Sequence, residues 1–409
     1  MFNAPHAGVD PFAVTVRSVG EPHPAHAALR AVGPIVRADA PAGGPAWIIT
    51  DYALAREVLA HPRIVKDPAY APAHWDPRIA RLEPPVAAQP SLTTLDGPAH
   101  EQLRRAHTPL FTARRMHDYS GRITGIAREL LTGIPAADGT VDLTADFTTR
   151  FPLAVICEVL GVPLDRIDQA IAACRGMYGD DPEVEIAMAA FAELAAAGLR
   201  DGRDGLAAAL RDAVPDEITE TQLHYLLFTL IYAGQLTTDP ALGFLLARVL
   251  DIDRAAAEGT TIDEFVRETL RLHSPAPFTL WRFTSADVDL AGVRLPARSP
   301  VLVDIQGINT DPGRPIGPDL TFGAGPHYCT GAQLAQLELS AVVEVLRTDF
   351  PDARLAVPFA ELQQIDIGGI QGSRLTALPV TLTGPPSTGL GGVPVVDAPT
   401  RGAAGSPPC

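Results

Sequence analysis

The chain has 409 residues, of which 46% are hydrophobic, and its formal net charge is −16 at pH 7. This length and apolar content are sufficient for a large buried core in one or two domains. The acidic balance argues against a protein that binds nucleic acid through a broad basic surface. Basic charge comes almost entirely from arginine, because Lys66 is the only lysine.

Cysteine usage and the chain's N-terminal sequence indicate the class of protein. The cysteines do not show the spacing of a disulfide framework or a zinc site; they are Cys157, Cys174, Cys329 and Cys409. The start, MFNAPHAGVDPF, has neither the basic residues nor the apolar core of a signal peptide. The apolar run 223–250 is long enough for a membrane span, but polar residues and a proline at its centre oppose that interpretation. The sequence therefore predicts a cytoplasmic protein with no membrane or nucleic-acid partner.

The first third of the chain mixes strand and helix patterns. Residues 1–30 form an N-terminal arm without a regular hydrophobic period. PIVRADA and PAWIITD then predict a β-hairpin around AGGP, and YALAREVLAHP predicts a helix that ends at proline. Residues 66–94 contain many prolines and predict a long loop. Helical patterns follow from Pro98 to about Leu131, in FPLAVICEVLGVP and in the alanine-rich segment 183–214.

The remaining elements are two capped helices and a group of short strands. Thr219 followed by Gln222 predicts a capping box that opens the long apolar helix, and Thr261 followed by Glu264 predicts another before IDEFVRETLRLH. Strand patterns occur in VDLAGVRLP, PVLVDIQG and LTALPVTL. Residues 384–409 are rich in Gly, Pro and Ser and predict a disordered tail. The expected fold class is mainly α with a small β portion.

The centre of the long apolar helix contains the unusual segment AGQLTTDP, residues 233–240. Gly234, Thr237, Thr238 and Pro240 each lower helix stability, and an interior proline costs about 3 kcal/mol. So many unfavourable residues together predict that the helix either ends here or bends for a purpose.

The segment FGAGPHYCTG, residues 322–331, surrounds Cys329 with glycines. A helical pattern follows it, so a tight loop delivers the cysteine to a helix N-terminus, where free N–H groups and the helix dipole favour a thiolate. Such a thiolate serves as a nucleophile or as a metal ligand. A phosphate-binding loop would carry Lys and Ser or Thr after its glycines, whereas this loop carries His327 and Cys329.

The pattern Phe-Gly-x-Gly-x-His-x-Cys-x-Gly in this loop resembles the haem-binding loop of the cytochrome P450 monooxygenases. ETLRLHSP matches the Glu-x-x-Arg helix of that family at Glu268 and Arg271, and LDGPAHEQLRR resembles the helix that crosses one haem face. The resemblance covers roughly residues 30 to 383. It implies a haem domain over 31–383 with the cytochrome P450 fold, in which a long central helix runs over the haem.

The same resemblance implies which residues hold the cofactor, haem b. Cys329 would be the thiolate ligand of the iron, whose electron donation favours O–O cleavage. Histidines and arginines would face the haem propionates, Phe322 would pack near the thiolate, and glycines would let the loop approach the haem. The implied haem-binding residues are His100, Arg104, Arg282, Phe322, Gly323, His327, Cys329 and Gly331. Glu268 and Arg271 would form a buried structural ion pair, for which Arg314 is the candidate third partner.

In this family the segment corresponding to AGQLTTDP is locally distorted and forms the oxygen pocket. Ala233 and Gly234 would leave room for dioxygen, and Thr237 would hydrogen-bond it. The position before that threonine usually carries an acid that relays protons, and here it is Leu236. Proton delivery would then depend on ordered water, on the substrate, or on the nearby side chains Gln235 and Asp239.

The substrate pocket inferred by position has an apolar, aromatic wall formed by Trp75, Leu92, Phe278, Leu280 and Trp281. The alternative is that Phe278 and Trp281 are core residues. Such a wall suits a hydrophobic or aromatic small molecule or a peptide-like natural-product intermediate.

Three functions remain open at this point. The first is oxidation of the substrate with activated dioxygen, and the second is oxidative aryl coupling without oxygen insertion, which the missing acid favours. The third is a non-catalytic haem-binding or recruiting protein. Electrons would come from NAD(P)H through a ferredoxin-type partner, which would dock near an arginine-rich segment: Arg104, Arg105, Arg114 and Arg115.

Overall fold

The computed structural model of the chain describes residues 5–41, 43–76, 89–134, 139–163, 167–174, 181–202, 205–251, 260–366 and 372–382. The predicted disordered tail and the middle of the predicted loop 66–94 lie outside these residues.

Helices dominate the described part of the chain, as the sequence predicted. They are α1 Pro24–Val32, α2 Tyr52–Ala60, α3 Gly97–His107, α4 Ala113–His117, α5 Ser120–Thr132, α6 Leu143–Asp146, α7 Arg150–Leu160, α8 Ile167–Cys174, α9 Asp181–Asp201, α10 Leu206–Ala213, α11 Glu220–Leu250, α12 Ile262–Leu272, α13 Ile305–Asn309 and α14 Ala332–Asp349. Both predicted capping boxes are present, at the starts of α11 and α12.

The strands are short: β1 Thr15–Ser18, β2 Ile35–Asp39, β3 Pro45–Ile49, β4 Ile64–Val65, β5 Thr140–Asp142, β6 Arg282–Thr284, β7 Val288–Leu290, β8 Val293–Leu295, β9 Pro300–Val303, β10 Arg354–Leu355, β11 Gln363–Asp366, β12 Ser373–Leu375 and β13 Pro379–Thr381. The largest sheet has the order β2-β3-β9-β6-β4, and it contains the predicted hairpin, in which Ile35 faces Ile49. The smaller sheets are β1-β11-β12, β10-β13-β5 and β7-β8.

The central helix α11 runs without interruption from Glu220 to Leu250, with Pro240 inside it. The unfavourable residues at 233–240 therefore do not end the helix. Both halves are anchored by buried apolar side chains: Leu226, Leu227, Ile231, Leu242, Leu245 and Leu246. Each large apolar side chain contributes about 1.5–3 kcal/mol on burial, so together they outweigh the cost of one proline.

The N-terminal arm contributes a strand to a sheet and buried side chains to two hydrophobic cores. Strand β1 pairs antiparallel with β11, so that Thr15 faces Asp366. Val19 is buried in the core that surrounds α11, and Phe12 is buried in a second core with Phe278. Among the described residues, no helix combines the length and apolar character that a membrane span requires.

Candidate active site

A cavity of about 370 Å³ lies between the middle of α11 and the cysteine loop. From α11 it is lined by Ala233, Gly234, Leu236 and Thr237. From the opposite side it is lined by the loop and the start of α14: Phe322, Gly323, Ala324, His327, Cys329, Gly331, Leu334, Ala335 and Glu338. The structure therefore brings the two unusual segments of the sequence to opposite walls of one cavity.

The cysteine loop is held by backbone contacts that depend on glycine. The Cys329 N–H donates to the Phe322 carbonyl at 2.9 Å, which closes the loop. Gly323 and Gly325 have φ of 74° and 70°, in the left-handed region that favours glycine. A Cβ at Gly325 would lie 2.8 Å from the carbonyl oxygen of Leu59 in α2, so the loop also needs glycine for its close approach to that helix.

The thiol of Cys329 faces the cavity, and opposing effects act on its pKa. The residue is accessible from the cavity. The protein atoms packed around the sulfur nevertheless raise its pKa by desolvation, and this outweighs the backbone N–H groups of Gly331 and Ala332 and the charge of Arg104, which lower it. The predicted influence of the helix N-terminus is therefore present but is smaller than the cost of desolvation. A bound metal cation would supply the missing stabilisation, because a coordinating thiol is deprotonated outright.

One end of the cavity is cationic. Arg282 is buried, and desolvation lowers its pKa to about 10, although Asp96 acts in the opposite direction. His100 lies behind this end with its ring 4.0 Å from that of His327, and burial lowers its pKa to about 4. Arg282 Nε and His100 Nε2 are both buried without a hydrogen-bond partner. Arg282 Nε is a donor, and His100 Nε2 is one in the tautomer that carries its proton there, so an anionic group at this end of the cavity would satisfy both atoms.

His327 and Arg104 make contacts that the sequence did not suggest. The His327 Nε2 atom lies 3.1 Å from Asp96 Oδ1, and Nδ1 lies 3.3 Å from the Leu92 carbonyl. Arg104 donates from Nη2 to the carbonyl of Tyr328, beside Cys329. Arg104 thus ties α3 to the cysteine loop, and His327 lines the cavity while bound to an acid of the same region.

On the opposite wall, Ala233 and Thr237 face the cavity one helical turn apart. The Thr237 hydroxyl donates to the Ala233 carbonyl at 2.9 Å. Gly234 has a packing role as well as a place in the cavity wall, because a Cβ there would lie 3.2 Å from the Ile156 side chain of α7. The glycine therefore allows α11 and α7 to approach closely.

Gln235 and Asp239, the two side chains considered for proton delivery, lie on another face of α11. Both are buried, and the Asp239 carboxylate accepts a hydrogen bond from Thr149 Oγ1 at 2.8 Å. Gln235 Nε2 lies 3.4 Å from the same carboxylate. Neither side chain lines the cavity. The expectation that they replace the missing acid is not supported by this geometry, because they point toward α7.

A carboxyl group reaches the cavity from α14 instead. Glu338 is 2% exposed and lines the cavity, and its Oε2 atom has no hydrogen-bond partner. Burial raises the pKa of this carboxyl well above its usual range, and only the Thr238 hydroxyl acts against that shift. Glu338 was not among the residues predicted from the sequence, although its spacing indicates a buried position: it lies four residues from both Leu334 and Val342, which are buried in the same helix.

Glu268 and Arg271 are joined by two hydrogen bonds of 2.7 Å. Arg271 also donates to the carbonyl of Asn309, which connects α12 to α13. The expectation of a buried pair is wrong, because the Glu268 side chain is 46% exposed at the surface of α12. Arg314 binds the carbonyls of Gly317 and Pro318 and influences Glu268 only through its charge.

The predicted substrate wall is only partly formed. Phe278 and Leu280 line the cavity, but the two tryptophans and Leu92 are not part of its lining. Trp75 and Trp281 meet edge to face at 4.6 Å and pack in the second core. For Trp281 the expectation is wrong because it precedes Arg282, which lines the cavity, and successive side chains of an extended segment point to opposite faces. Trp75 packs against Trp281, and Leu92 packs on the core around α11.

Similarity to known proteins agrees with this geometry. The family model described as Cytochrome P450 matches residues 260–313. The cytochrome P-450 monooxygenase DoxA of Streptomyces peucetius subsp. caesius is 42% identical over 93% of this chain and 99% of its own length. This chain belongs to the cytochrome P450 family.

More distant P450s extend the same relationship. The vitamin D(3) 25-hydroxylase of Pseudonocardia autotrophica is 34% identical over 88% of this chain and 94% of its own length. The solved structure of CYP154A1 from Streptomyces coelicolor A3(2) superposes on this chain with a TM-score of 0.76 and is 27% identical in sequence. The superposition covers 90% of this chain and 99% of the CYP154A1 chain. The fold is therefore the cytochrome P450 fold, and the chain is a P450 monooxygenase by its relatives.

Membership of the family implies a haem iron held by a cysteine thiolate, and the residues of this P450 fit such a group. Cys329 offers its sulfur to the cavity, and the opposite wall carries small side chains above it. Arg282 Nε and His100 Nε2, which have no hydrogen-bond partner, would interact with the carboxylate groups at the edge of a haem. A flat apolar group with a thiolate-binding metal and an anionic edge satisfies each of these features.

Proposed function

We propose that this P450 oxidises an apolar small molecule of secondary metabolism, such as a natural-product intermediate, in the cavity between α11 and the cysteine loop. The observation that supports this most directly is the position of Cys329 opposite Ala233 and Thr237 across one cavity. The haem, when bound, supplies the activation of dioxygen. Cys329 would hold its iron, and Arg282, with His100, Arg104 and His327 nearby, would stabilise its anionic edge.

The walls of the cavity favour an apolar substrate. Leu230, Leu236, Phe278, Leu280 and Ile305 all line it. Binding in such a pocket comes mainly from removal of apolar surface from water, and a few polar groups then fix the orientation of the ligand. Thr237 and Thr279 are two of the hydroxyl-bearing side chains of the wall, and they would serve this purpose.

Protons would reach the cavity from Glu338 by way of hydroxyl groups. Burial raises the pKa of the Glu338 carboxyl well above its usual range, which favours a carboxyl that holds a proton at the wall of the cavity. The Thr238 hydroxyl contacts this carboxyl, and the neighbouring Thr237, whose hydroxyl donates to the Ala233 carbonyl, lines the cavity. Leu236 leaves α11 without its usual acid, and Glu338 would supply the carboxyl group from α14.

Oxidative aryl coupling is the alternative reaction, and Leu236 is the observation that favours it. A phenol or indole substrate would supply its own protons, so the enzyme would need no acid on α11. The buried Glu338 weakens this alternative, because burial raises its pKa and so favours a proton-bearing carboxyl at the cavity that does not depend on the substrate.

Electrons from NAD(P)H would arrive through an acidic ferredoxin-type protein on the side of Cys329. Arg105 and Arg114 are exposed on α3 and α4, and Arg104 of α3 contacts the cysteine loop. A local basic surface steers an acidic partner even when the net charge of the chain is negative.

Two measurements test this function. The reduced, carbon monoxide-bound protein should show the red-shifted Soret band of thiolate ligation, and Cys329→Ser should abolish that band while Cys157→Ser, a buried cysteine of α7, retains it. Mass spectrometry of the product should then show a gain of one oxygen atom. Loss of two hydrogens without added oxygen would identify coupling instead, and a retained band in Cys329→Ser would overturn the ligand assignment.

A further inference from the structure

A second cavity, of about 520 Å³, shares Phe278 with the cavity at the cysteine loop but contains none of that loop's residues. Its walls come from the N-terminal arm and α1, from the C-terminal half of α11, from the end of α12 and from β11. Pockets for small organic molecules measure roughly 300–1,000 Å³. The second cavity is therefore large enough for a ligand of its own.

Titratable side chains for which the oxidation has no use are gathered around the second cavity. They are Arg17, His23, His26, Arg248 and His273. Burial lowers the pKa of His273 to about 4, and the charges of Arg248 and Arg17 act in the same direction. Among the described residues, no three His, Cys, Asp or Glu side chains are grouped as a metal ion would require. Perturbed groups that converge on a cavity without a metal site indicate an organic ligand.

The end of the second cavity near His273 has hydrogen-bond donors to spare. Arg17 donates from Nη1 to Asp366 at 2.9 Å, but its Nε atom is buried without a hydrogen-bond partner. Arg248 donates from Nη1 to the Thr269 hydroxyl at 2.5 Å and forms no salt bridge with any residue that the structure describes. Both arginine charges reach His273, so the two guanidinium groups lie at the same end. An anionic group there would satisfy both of them.

The remaining walls of the second cavity carry flat rings. Phe244 of α11 is stacked on His273, with ring centres 4.4 Å apart and planes inclined by 7°. The His26 ring of α1 lies 5.6 Å from that of Phe278. Flat aromatic faces pack best against a planar ring, which they can stack on or meet edge to face.

We propose that the second cavity binds a planar aromatic carboxylate, with its ring among these aromatic side chains and its carboxylate on Arg17 and Arg248, and that this ligand is an effector of substrate binding. The effector role rests on the proposed function. Phe278 is 2% exposed and forms part of the wall of both cavities. A ligand against one side of the ring limits the movement that the ring can make for a ligand on the other side.

Calorimetric titration of the haem-loaded protein with 2-naphthoate tests the binding site, with 4-phenylimidazole present to occupy the cavity at the cysteine loop. One equivalent of 2-naphthoate should bind. Arg248→Met should weaken this binding about tenfold, since one charge-assisted hydrogen bond is worth about that factor or more. The affinity for uncharged 2-naphthamide should change by less than about twofold in the same variant.

A second variant places the ligand in the cavity without removing a charge. Gly20 is in the wall, and a Cβ there would meet nothing within 4 Å, so Gly20→Trp adds a large side chain without displacing protein atoms. Gly8 has the same free space but is not in the wall, and Gly8→Trp is the matched control. Gly20→Trp should weaken 2-naphthoate binding at least about tenfold, and Gly8→Trp less than about twofold. Absence of binding to the wild-type protein, or equal affinity in all variants, would overturn the site.

The effector role is tested by spectral titration with 4-phenylimidazole. Saturating 2-naphthoate should shift its dissociation constant at least about threefold, because coupling between two sites is reciprocal, and the shift should disappear in Gly20→Trp. An unchanged constant would overturn the effector role, and so would a shift that persists in Gly20→Trp, which would show direct competition at the haem. A wild-type protein without the thiolate-type spectrum would instead overturn the proposed function, whereas the calorimetric comparison of the variants does not depend on it.

Discussion

The Asp239 carboxylate accepts a hydrogen bond of 2.8 Å from the hydroxyl of Thr149, and this contact turns it away from the cavity. Asp239 is the acidic residue of α11 nearest to Thr237, so its orientation decides where a proton donor must be sought. Glu338 of α14 is the carboxyl group that lines the cavity among the described residues. Substitution of Glu338 should therefore impair proton delivery, whereas substitution of Asp239 should not, and Asp239 serves as the matched control.

Glu338→Gln should lower the yield of product per NAD(P)H consumed by about tenfold or more, since a positioned proton donor contributes about 10² to 10⁴-fold. The amide keeps the size and the contact with Thr238 but releases no proton. Asp239→Asn should change the yield by less than about twofold. Product yield and hydrogen peroxide formation are measured together, and a similar loss in both variants would show that the effect is structural.

The same residue should make stability depend on pH. Burial raises the pKa of Glu338 in the folded protein, so between the ordinary carboxyl value and the raised value the folded state holds a proton that the unfolded state has released. Stability contributed by this group therefore falls as pH rises through that window. Relative to wild type, Glu338→Gln should therefore gain thermal stability as the pH rises above the ordinary carboxyl pKa. Parallel unfolding profiles for the two proteins would argue against a buried neutral carboxyl.

Leu236→Glu should leave the yield of product unchanged or reduce it. Leu236 lines the apolar cavity, so a carboxylate there would be desolvated and would displace apolar substrate surface. Leu236→Met keeps the apolar volume and is the control. A clear rise in product per electron, without weaker substrate binding, would show that the leucine is a defect in proton supply.

Reduction by an acidic ferredoxin should depend on the arginines of α3 and α4. Arg105→Glu and Arg114→Glu should each slow the bimolecular rate about threefold to tenfold at low salt, and the difference should shrink as the Debye length falls to about 10 Å at 0.1 M. Arg200→Glu on α9, which packs against α8 and α11, makes the same charge change elsewhere. If the reduction rate changed neither with salt nor with the substitutions on α3 and α4, the proposed docking surface would be wrong.

Arg271→Lys should lower the melting temperature by about 2 °C or more. Lysine cannot make the two parallel bonds to Glu268 and the bond to the Asn309 carbonyl at once, so α12 would lose its connection to α13. Arg267→Lys, an exposed change on the same helix, should leave the melting temperature unchanged. Differential scanning calorimetry of the haem-loaded variants measures both, and equal values would show that the ion pair is only a surface contact.

Local sequence patterns did not predict α1 or α13, whose residues fall in the expected N-terminal arm and in the expected strand PVLVDIQG. They did predict the longer helices, the capping boxes, the hairpin and the loop around Cys329. Each of these depends on residues close together in the chain: Thr219 with Gln222, the turn between β2 and β3, and the glycines that permit left-handed backbone. The family was also evident from the cysteine loop and from Glu268 with Arg271. Interactions between residues that are close in the chain depend only on the local sequence, so the local sequence is sufficient to predict them.

Tertiary structure alone decided which side chains face the cavity. Glu338 and Thr238 are 100 residues apart in the sequence, and Asp96 meets His327 only because the start of α3 lies against the cysteine loop. Conversely, Trp75 and Trp281 looked like pocket residues but pack against each other in a core. The sequence of a single helix or strand does not specify which other element packs against it. The burial, electrostatic environment and orientation of each side chain at the cavity depend on that neighbouring element. The sequence therefore determined the chemistry of Cys329, and the packing of distant elements determined the acids and cations around it.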